Sequence, residues 1–450
     1  MAINKIFVIA IIISISFSSI LSVAQTIVNS VQIDDTTEKY DYLIVTTLKL
    51  KNAVKPLKDW REQQGYSVKI VTGFHNPEVL RKFLQNNYQE WGLKYVLIVG
   101  SHKSVHMKYC MPNPDDHRLF NPLKTWGQPV PTDYYFAELT CNWDKDNDKY
   151  FCEFHDDIDN LTAFQPELFV GRIPFDNIFR VKNFCQKIID YEKDEGEWKK
   201  KVLLLGFMQS YENSTGVEAE RVDCAGGMEV MKNDFFNPNG FKCTTMYEKG
   251  GISPSNFTCD YPLNNSNVVS EWKAGYGFVN WMGHSATTEA HSLVWNEDDG
   301  DGIPEIGEVE SNICVKSSDS FQLNDDEPSV VYGFSCFTIP PEPIWVILEM
   351  IYFKIRAYPI CLGMSLLRNG AVTYIGGARP TLGGWPINYN FFKNIAEYND
   401  SYGDAFYKAK CSYLTIAESG DWIEPLGEYC SVWNAINMGF YGDPTTGLNS

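Results

Sequence analysis

The sequence has few basic residues, and this scarcity limits the partners it can bind. Its 38 Lys and Arg residues are outnumbered by 57 Asp and Glu residues, which gives a formal net charge of −19 at pH 7. No basic run is longer than the three residues Lys199–Lys201. The chain therefore lacks the cationic surface that a phosphate backbone requires, and we expect no binding to nucleic acid.

Long apolar runs are also missing beyond the N-terminal segment, and we find no internal repeat and no low-complexity tract. In that segment Lys5 precedes an apolar stretch over 6–17, and Ser22–Ala24 supplies the small residues that precede a cleavage site. The stretch is shorter than the roughly 20 residues of a membrane span. We therefore expect a signal peptide at 1–24, a short leader at 25–39 and no stable membrane span. The protein is predicted to be secreted, either to the extracellular space or to an endomembrane lumen.

Cysteine, by contrast, is plentiful, with 12 residues. In an exported chain this number suggests disulfide bonds, although their connectivity does not follow from the sequence. Cys141 and Cys152 flank an acidic loop and are one candidate pair. Five Asn-x-Ser/Thr tripeptides fit the same compartment and predict glycosylation, at Asn160, Asn213, Asn256, Asn264 and Asn399.

Apolar runs alternate with amphipathic segments, which predicts an α/β fold of mostly parallel sheets flanked by helices. The predicted strands include 42–46, 67–71, 95–100 and 202–206. The predicted helices include 51–64, 76–91, 176–193, 217–232 and 388–411. A charged segment near 192–201 looks like a linker, so we expect two coupled subdomains, at 40–200 and at 201–450.

Two short motifs each follow an apolar run of strand type. Trp281–Ser285 follows 277–280, and Gly333–Phe337 follows 329–332. Residues just past the carboxyl ends of strands project into a shared crevice, so His284 and Cys336 could meet there. An imidazole beside a thiol stabilises the thiolate, which is the nucleophile. The pair predicts a cysteine peptidase, whereas Cys336 alone would be read as a buried structural cysteine.

Five segments in the same order resemble the gingipain-type family of cysteine peptidases, which share a caspase-like fold. They are Pro131–Tyr135, Val170–Pro174, Gly283–His284, Ser335–Cys336 and Tyr441–Pro444. The resemblance implies an endopeptidase acting on proteins or peptides, with Cys336 as nucleophile and His284 as its base and acid. The N–H groups near Gly283 and Cys336 would hold the oxyanion.

Two other functions stay open at this point. A legumain-like peptidase or transpeptidase of the same fold would explain the dyad, but not the segments 170–174 and 441–444. A catalytically inactive, secreted binding protein is favoured by Ser285, where the family has a second Gly, and by Phe337 after the cysteine.

Substrate preference is predicted from the segment after the strand 202–206. In the arginine-directed relatives, an acid early in the following helix selects a basic residue before the scissile bond, since a carboxylate binds Arg or Lys by a charge-assisted bond. Counting along this chain reaches Glu220, with Glu218 as second choice. The alternative is a solvated acidic helix face. Where relatives have an acidic partner for the histidine, this chain reads Met208–Ser210, so no third catalytic residue is assigned.

Two acidic loops have the alternating oxygen ligands of a calcium site, which predicts structural Ca²⁺ and no catalytic cofactor. The ligands predicted in the better loop are Glu297, Asp299, Asp301, Ile303, Glu305 and Glu308. Those predicted in the poorer loop are Asp144, Asp146, Asp148, Tyr150 and Glu153. The alternative in both cases is a solvated acidic loop.

Overall fold

This computed structural model describes residues 39–113, 129–212, 220–305, 307–345, 347, 360–422, 424 and 429–448. The predicted signal peptide and nearly all of the leader lie outside these residues. Tyr40–Ser450 form one compact unit. In the part of the chain that is described, no helix is both long enough and apolar enough to cross a membrane.

The strands in chain order are β1 (Tyr42–Thr46), β2 (Val68–Thr72), β3 (Tyr95–Val99), β4 (Lys108–Cys110), β5 (Val130–Thr132), β6 (Phe169–Ile173), β7 (Lys201–Gly206), β8 (Met208–Ser210), β9 (Val222–Asp223), β10 (Lys242–Tyr247), β11 (Tyr261–Pro262), β12 (Phe278–Met282), β13 (His284–Ser285), β14 (Glu289–Trp295), β15 (Val309–Lys316), β16 (Ser329–Phe334), β17 (Ala371–Gly377) and β18 (Met438–Tyr441). The α-helices are α1 (Lys55–Gln63), α2 (Pro77–Trp91), α3 (Tyr134–Ala137), α4 (Ile178–Lys193), α5 (Ala225–Met231), α6 (Asn265–Trp272), α7 (Leu362–Arg368), α8 (Trp385–Tyr398), α9 (Tyr402–Glu418) and α10 (Tyr429–Asn437). The structure also has a π-helical turn (Lys232–Phe236) and short 3-10 helices at Glu197–Lys200, Asn237–Asn239 and Ser317–Gln322.

Eleven strands form one sheet in the order β11-β10-β7-β12-β16-β17-β18-β6-β3-β1-β2. Every neighbouring pair is parallel except β17–β18. All side chains of β1 and β3 are buried, as expected for parallel strands that are covered on both faces. The mostly parallel α/β architecture predicted from the sequence is therefore confirmed. Both predicted subdomains contribute strands to this sheet, and their division at 200/201 stays a prediction.

Buried ion pairs join segments that are distant in the sequence. Arg61 of α1 is fully buried, 2.6 Å from Glu192 of α4 and 2.9 Å from Asp443. Arg172 of β6 is likewise buried and lies 2.6 Å from Asp133. Such pairs are costly to break because one charge would be left without a partner. Asp443, Arg172 and Asp133 all belong to family-like segments, and their contacts show that these segments hold the fold together.

Two predicted helices differ from the structure. The helix predicted from 217 begins at Ala225, because Asp223 lies in a β-pair with Met208 and its carboxylate accepts the Ala225 N–H at 3.0 Å. The single helix predicted over 388–411 is two helices, α8 and α9. Asn399 ends the first in a left-handed conformation, φ 53°, and the Ser401 side chain caps the second.

Candidate active site

The two motifs lie side by side at the carboxyl edge of the sheet. Strands β12 and β16 are parallel neighbours, with Met282 opposite Phe334. His284 and Cys336 each follow these partners by two residues. The Ser285 hydroxyl donates a hydrogen bond to the carbonyl oxygen of Cys336, which joins the two motifs directly.

His284 is held by a backbone group. Its Nε2 lies 2.7 Å from the carbonyl oxygen of Gln209. Because a carbonyl can only accept, Nε2 carries the proton and Nδ1 is the free acceptor of the ring. Burial lowers the pKa of His284, partly offset by this hydrogen bond. The imidazole is therefore neutral at neutral pH and able to take up a proton.

The surroundings of the Cys336 thiol also favour its uncharged form. Burial raises its pKa, and the backbone N–H of Thr381, which donates to Sγ at 3.4 Å, acts in the opposite direction. Phe337 directly after it has a left-handed backbone, φ 53°, and its N–H donates to the Arg379 carbonyl at 3.2 Å. A bulky residue in this conformation is strained, so the turn after Cys336 is fixed by its surroundings.

Gly283 is required by the space around it. Its φ is 151°, and a Cβ there would lie 2.5 Å from Cβ of Phe207. Its N–H donates to the carbonyl of Phe334 at 3.3 Å, so it would have to exchange this partner to hold an oxyanion. The oxyanion role of Gly283 and Cys336 stays a prediction.

His291 forms one wall of the site. It lies opposite His284 across the β13–β14 pair, with ring centroids 5.8 Å apart and planes inclined by 21°. Burial lowers the pKa of His291 to about 4, and the neighbouring His284 adds to this effect. The ring is thus neutral at neutral pH.

The two predicted specificity residues are only partly located. Glu220 is exposed and precedes β9, so it does not lie on a helix as the sequence count assumed. Its backbone carbonyl accepts the Ser210 hydroxyl at 2.7 Å. Glu218 lies outside the described residues.

The better acidic loop brings some of its predicted ligands together. Carboxylate oxygens of Asp299, Glu305 and Glu308 lie within 4.8 Å of one another, as do those of Asp298, Asp299 and Asp301. The charges of Asp301 and Asp299 raise the pKa of Glu305, which shows how closely these anions approach. Oxygen-rich clusters of this kind suit a hard cation. Two predicted ligands are not in either cluster, namely Glu297 and Ile303.

In the poorer loop, oxygens of Asp144, Asp146 and Asp148 converge in the same way. Tyr150 donates its N–H to Asp148 at 2.8 Å. Glu153 is buried outside this cluster, and its N–H donates to Asp157 at 3.2 Å.

All 12 cysteines lie within the described residues, and they form no disulfide bond with one another there. Cys141 and Cys152, the candidate pair, have different neighbours. The Cys141 thiol donates to the Ala163 carbonyl at 3.4 Å, whereas Cys152 is hydrogen-bonded to the thiol of Cys110.

Comparison with known proteins identifies the family. The sequence model of peptidase family C25 matches residues 35–449. The chain belongs to peptidase family C25. This membership makes it a cysteine-type peptidase, confirms the gingipain-type resemblance and decides against the legumain-like alternative. No curated protein sequence matches the chain.

Solved structures of this family share the fold. The chain is similar to the Arg-specific cysteine proteinase gingipain R (RgpB), with 13% identity, a TM-score of 0.61, and coverage of 92% of this chain and 79% of that one. A complex of Porphyromonas gingivalis RgpB pro- and mature domains gives 13% identity, a TM-score of 0.59, and coverage of 90% and 79%. These likenesses confirm the caspase-like fold.

Proposed function

We propose that this family C25 chain is a secreted cysteine endopeptidase that acts through Cys336 and His284. The observation that carries the proposal is the placement of the two residues at one edge of the sheet. Met282 and Phe334 are paired on adjacent parallel strands, and His284 and Cys336 each follow two residues later. The His284 Nε2 lies 2.7 Å from the carbonyl oxygen of Gln209. A nucleophile beside a base that is itself oriented by a third group is the arrangement that covalent catalysis requires.

In the proposed reaction, the Cys336 sulfur attacks the scissile carbonyl carbon while its proton moves to Nδ1 of His284. The carbonyl electron pair moves to oxygen, and its return expels the amine, which takes the proton from His284 and leaves a thioester. Water then attacks the thioester carbon and gives a proton to His284, the C–S bond breaks to release the carboxylic acid, and the Cys336 sulfur takes the proton back from His284. Because burial lowers the pKa of His284 and raises that of Cys336, the pair begins neutral, and proton transfer accompanies attack.

The test is hydrolysis of a peptide library by the purified protein and by matched cysteine variants. Cys336→Ala should abolish cleavage and labelling by a thiol-directed peptide inhibitor. Cys185→Ala removes another buried thiol, in α4, and should leave both unchanged. Full cleavage by Cys336→Ala would contradict the proposal.

We further propose a preference for Arg or Lys before the scissile bond, with Glu220 as the selecting carboxylate and Glu218 as second choice. Two observations support this preference. Glu220 is the position reached by counting along the family pattern, and it is exposed beside β8 and β9. For Glu220→Gln, kcat/KM for substrates with Arg before the scissile bond, divided by kcat/KM for those with Leu there, should fall about tenfold or more, since a charge-assisted bond is lost. Glu197→Gln, an exposed acid elsewhere, is the control.

Structural Ca²⁺ at the two acidic loops and glycosylation on the secretory route complete the proposal. The converging carboxylates support the calcium sites. Neither ion site takes part in the proposed reaction.

A further inference from the structure

Strand β14 contacts both partners of the hydrogen bond that orients the catalytic histidine. His291 of this strand faces the ring of His284. The next residue, Ser292, accepts the backbone N–H of Met208 on its hydroxyl oxygen at 2.9 Å. Met208 directly precedes Gln209, whose carbonyl accepts the His284 Nε2 proton. One strand therefore supports the imidazole and the group that holds it.

The contact between Ser292 and Met208 is completely buried, since neither residue is exposed to solvent. Water cannot replace the hydroxyl there without entering the core. A buried backbone N–H that loses its acceptor is unfavourable, so the segment would shift to find another partner. Such a shift would move the adjoining Gln209 peptide.

A second contact of β14 holds the other side of Gln209. Trp295, the last residue of the strand, contacts Tyr211 with ring centroids 6.4 Å apart. These two residues and Met208 form a small apolar cluster, separate from the main core. Met208 and Tyr211, which flank Gln209 and Ser210, are thus both held by contacts with β14.

We propose that Ser292 is a positioning residue for the peptidase reaction. Through the Met208 N–H it keeps the Gln209 carbonyl where it accepts from Nε2 of His284, which leaves Nδ1 to receive the proton of Cys336. The segment Met208–Ser210 offers no carboxylate for this purpose. A carboxylate side chain could rotate toward the imidazole, but a backbone carbonyl cannot. The position of the Gln209 carbonyl therefore depends on the contacts that hold its backbone. This inference rests on the proposed function.

The test compares Ser292→Ala with Ser292→Cys, which keeps the side-chain size but is a poorer acceptor. Both variants should lower kcat about tenfold and keep KM within about twofold of the wild-type value. The reason is that the lost interaction orients His284 and does not bind substrate. The control is Ser365→Ala, which removes another fully buried hydroxyl, bonded to the Ser317 carbonyl. Its kcat should stay at the wild-type value even if its Tm falls.

A second measurement does not depend on cleavage. In protein labelled with ¹⁵N at histidine, His284 should show the Nε2–H tautomer in the wild type and a mixture of tautomers in the Ser292 variants. An unchanged tautomer in both variants, or an equal loss of kcat in Ser365→Ala, would overturn the inference. Cleavage that survives in Cys336→Ala would instead overturn the proposed function, so the two failures are distinguishable.

Discussion

Ser285 donates its side-chain hydroxyl to the carbonyl oxygen of Cys336. This bond joins the two motifs that carry His284 and Cys336, at the position where the family has a second Gly after the histidine. Ser285, which replaces the Gly of the family pattern, thus has a structural role in this chain.

The first prediction follows from this bond. Ser285→Ala should lower the free energy of unfolding by about 1 kcal/mol, the net value of one hydrogen bond, and should lower kcat because the two motifs are no longer joined. Urea unfolding and steady-state kinetics measure the two effects. Ser419→Ala, which removes an exposed hydroxyl, is the control. A variant with wild-type kcat and stability would show that the bond has no role.

The second prediction concerns the charge state of Cys336, the proposed nucleophile. Because burial raises the pKa of Cys336, alkylation by iodoacetamide in the absence of substrate should be slow at pH 6–7 and should increase as the pH rises toward and above the ordinary thiol value. The acid limb of kcat/KM should lie below pH 6.5, since burial lowers the pKa of His284. Fast alkylation with a plateau near pH 5 would instead reveal a preformed thiolate–imidazolium pair.

Several features of the fold follow directly from the sequence. The continuous apolar runs at Tyr42–Thr46 and Tyr95–Val99 predict buried parallel strands, because only strands covered on both faces lack polar side chains. The closeness of His284 and Cys336 follows from the rule that the carboxyl ends of parallel strands share one edge.

Other features of the site leave no trace in the sequence. The group that orients His284 is the backbone carbonyl of Gln209, and every residue has a carbonyl. Strand β14 is not predicted either, because the polar Ser292 is buried while the apolar Leu293 beside it is partly exposed, which breaks the expected alternation. The start of α5 depends on the β8–β9 pair, a tertiary contact that overrides the helical sequence pattern.

The third prediction is an acid-dependent loss of stability at His291. Its pKa is about 4 in the folded protein and is lowered chiefly by burial, against an ordinary value near 6.5. Below about pH 6.5 the unfolded chain binds a proton at this residue that the folded chain does not bind until about pH 4, so stability falls over this window. His291→Phe keeps a flat ring and should reduce that fall in urea unfolding between pH 7 and 4.5. The exposed His75→Gln should not.

The fourth prediction concerns disulfide formation under oxidising conditions. Cys110 and Cys152 are both fully buried and their thiols are in contact, while two backbone hydrogen bonds link the adjoining residues, Met111 to Phe151 and Phe154 to Pro112. Exposure to oxidised glutathione during refolding should therefore join Cys110 to Cys152 by exchange, with two glutathione thiols released. Peptide mapping without reductant identifies the pair. A Cys141–Cys152 peptide would contradict this pairing.

The last prediction concerns the acidic loop after β14. If this loop binds Ca²⁺ in the native state only, chelation should lower Tm by an amount that depends on the free calcium concentration before chelation. Starting from free calcium at 100 times Kd, the free energy of unfolding should fall by about 2.7 kcal/mol. Glu308 carries the argument because it lies in the carboxylate cluster and also accepts Trp295 Nε1–H at 3.2 Å. Glu308→Gln should abolish most of the calcium-dependent shift in Tm, whereas Glu310→Gln, an exposed acid outside the cluster, should retain it. Equal shifts in both variants, or a Tm that excess chelator leaves unchanged in the wild type, would show that this loop is solvated and holds no ion.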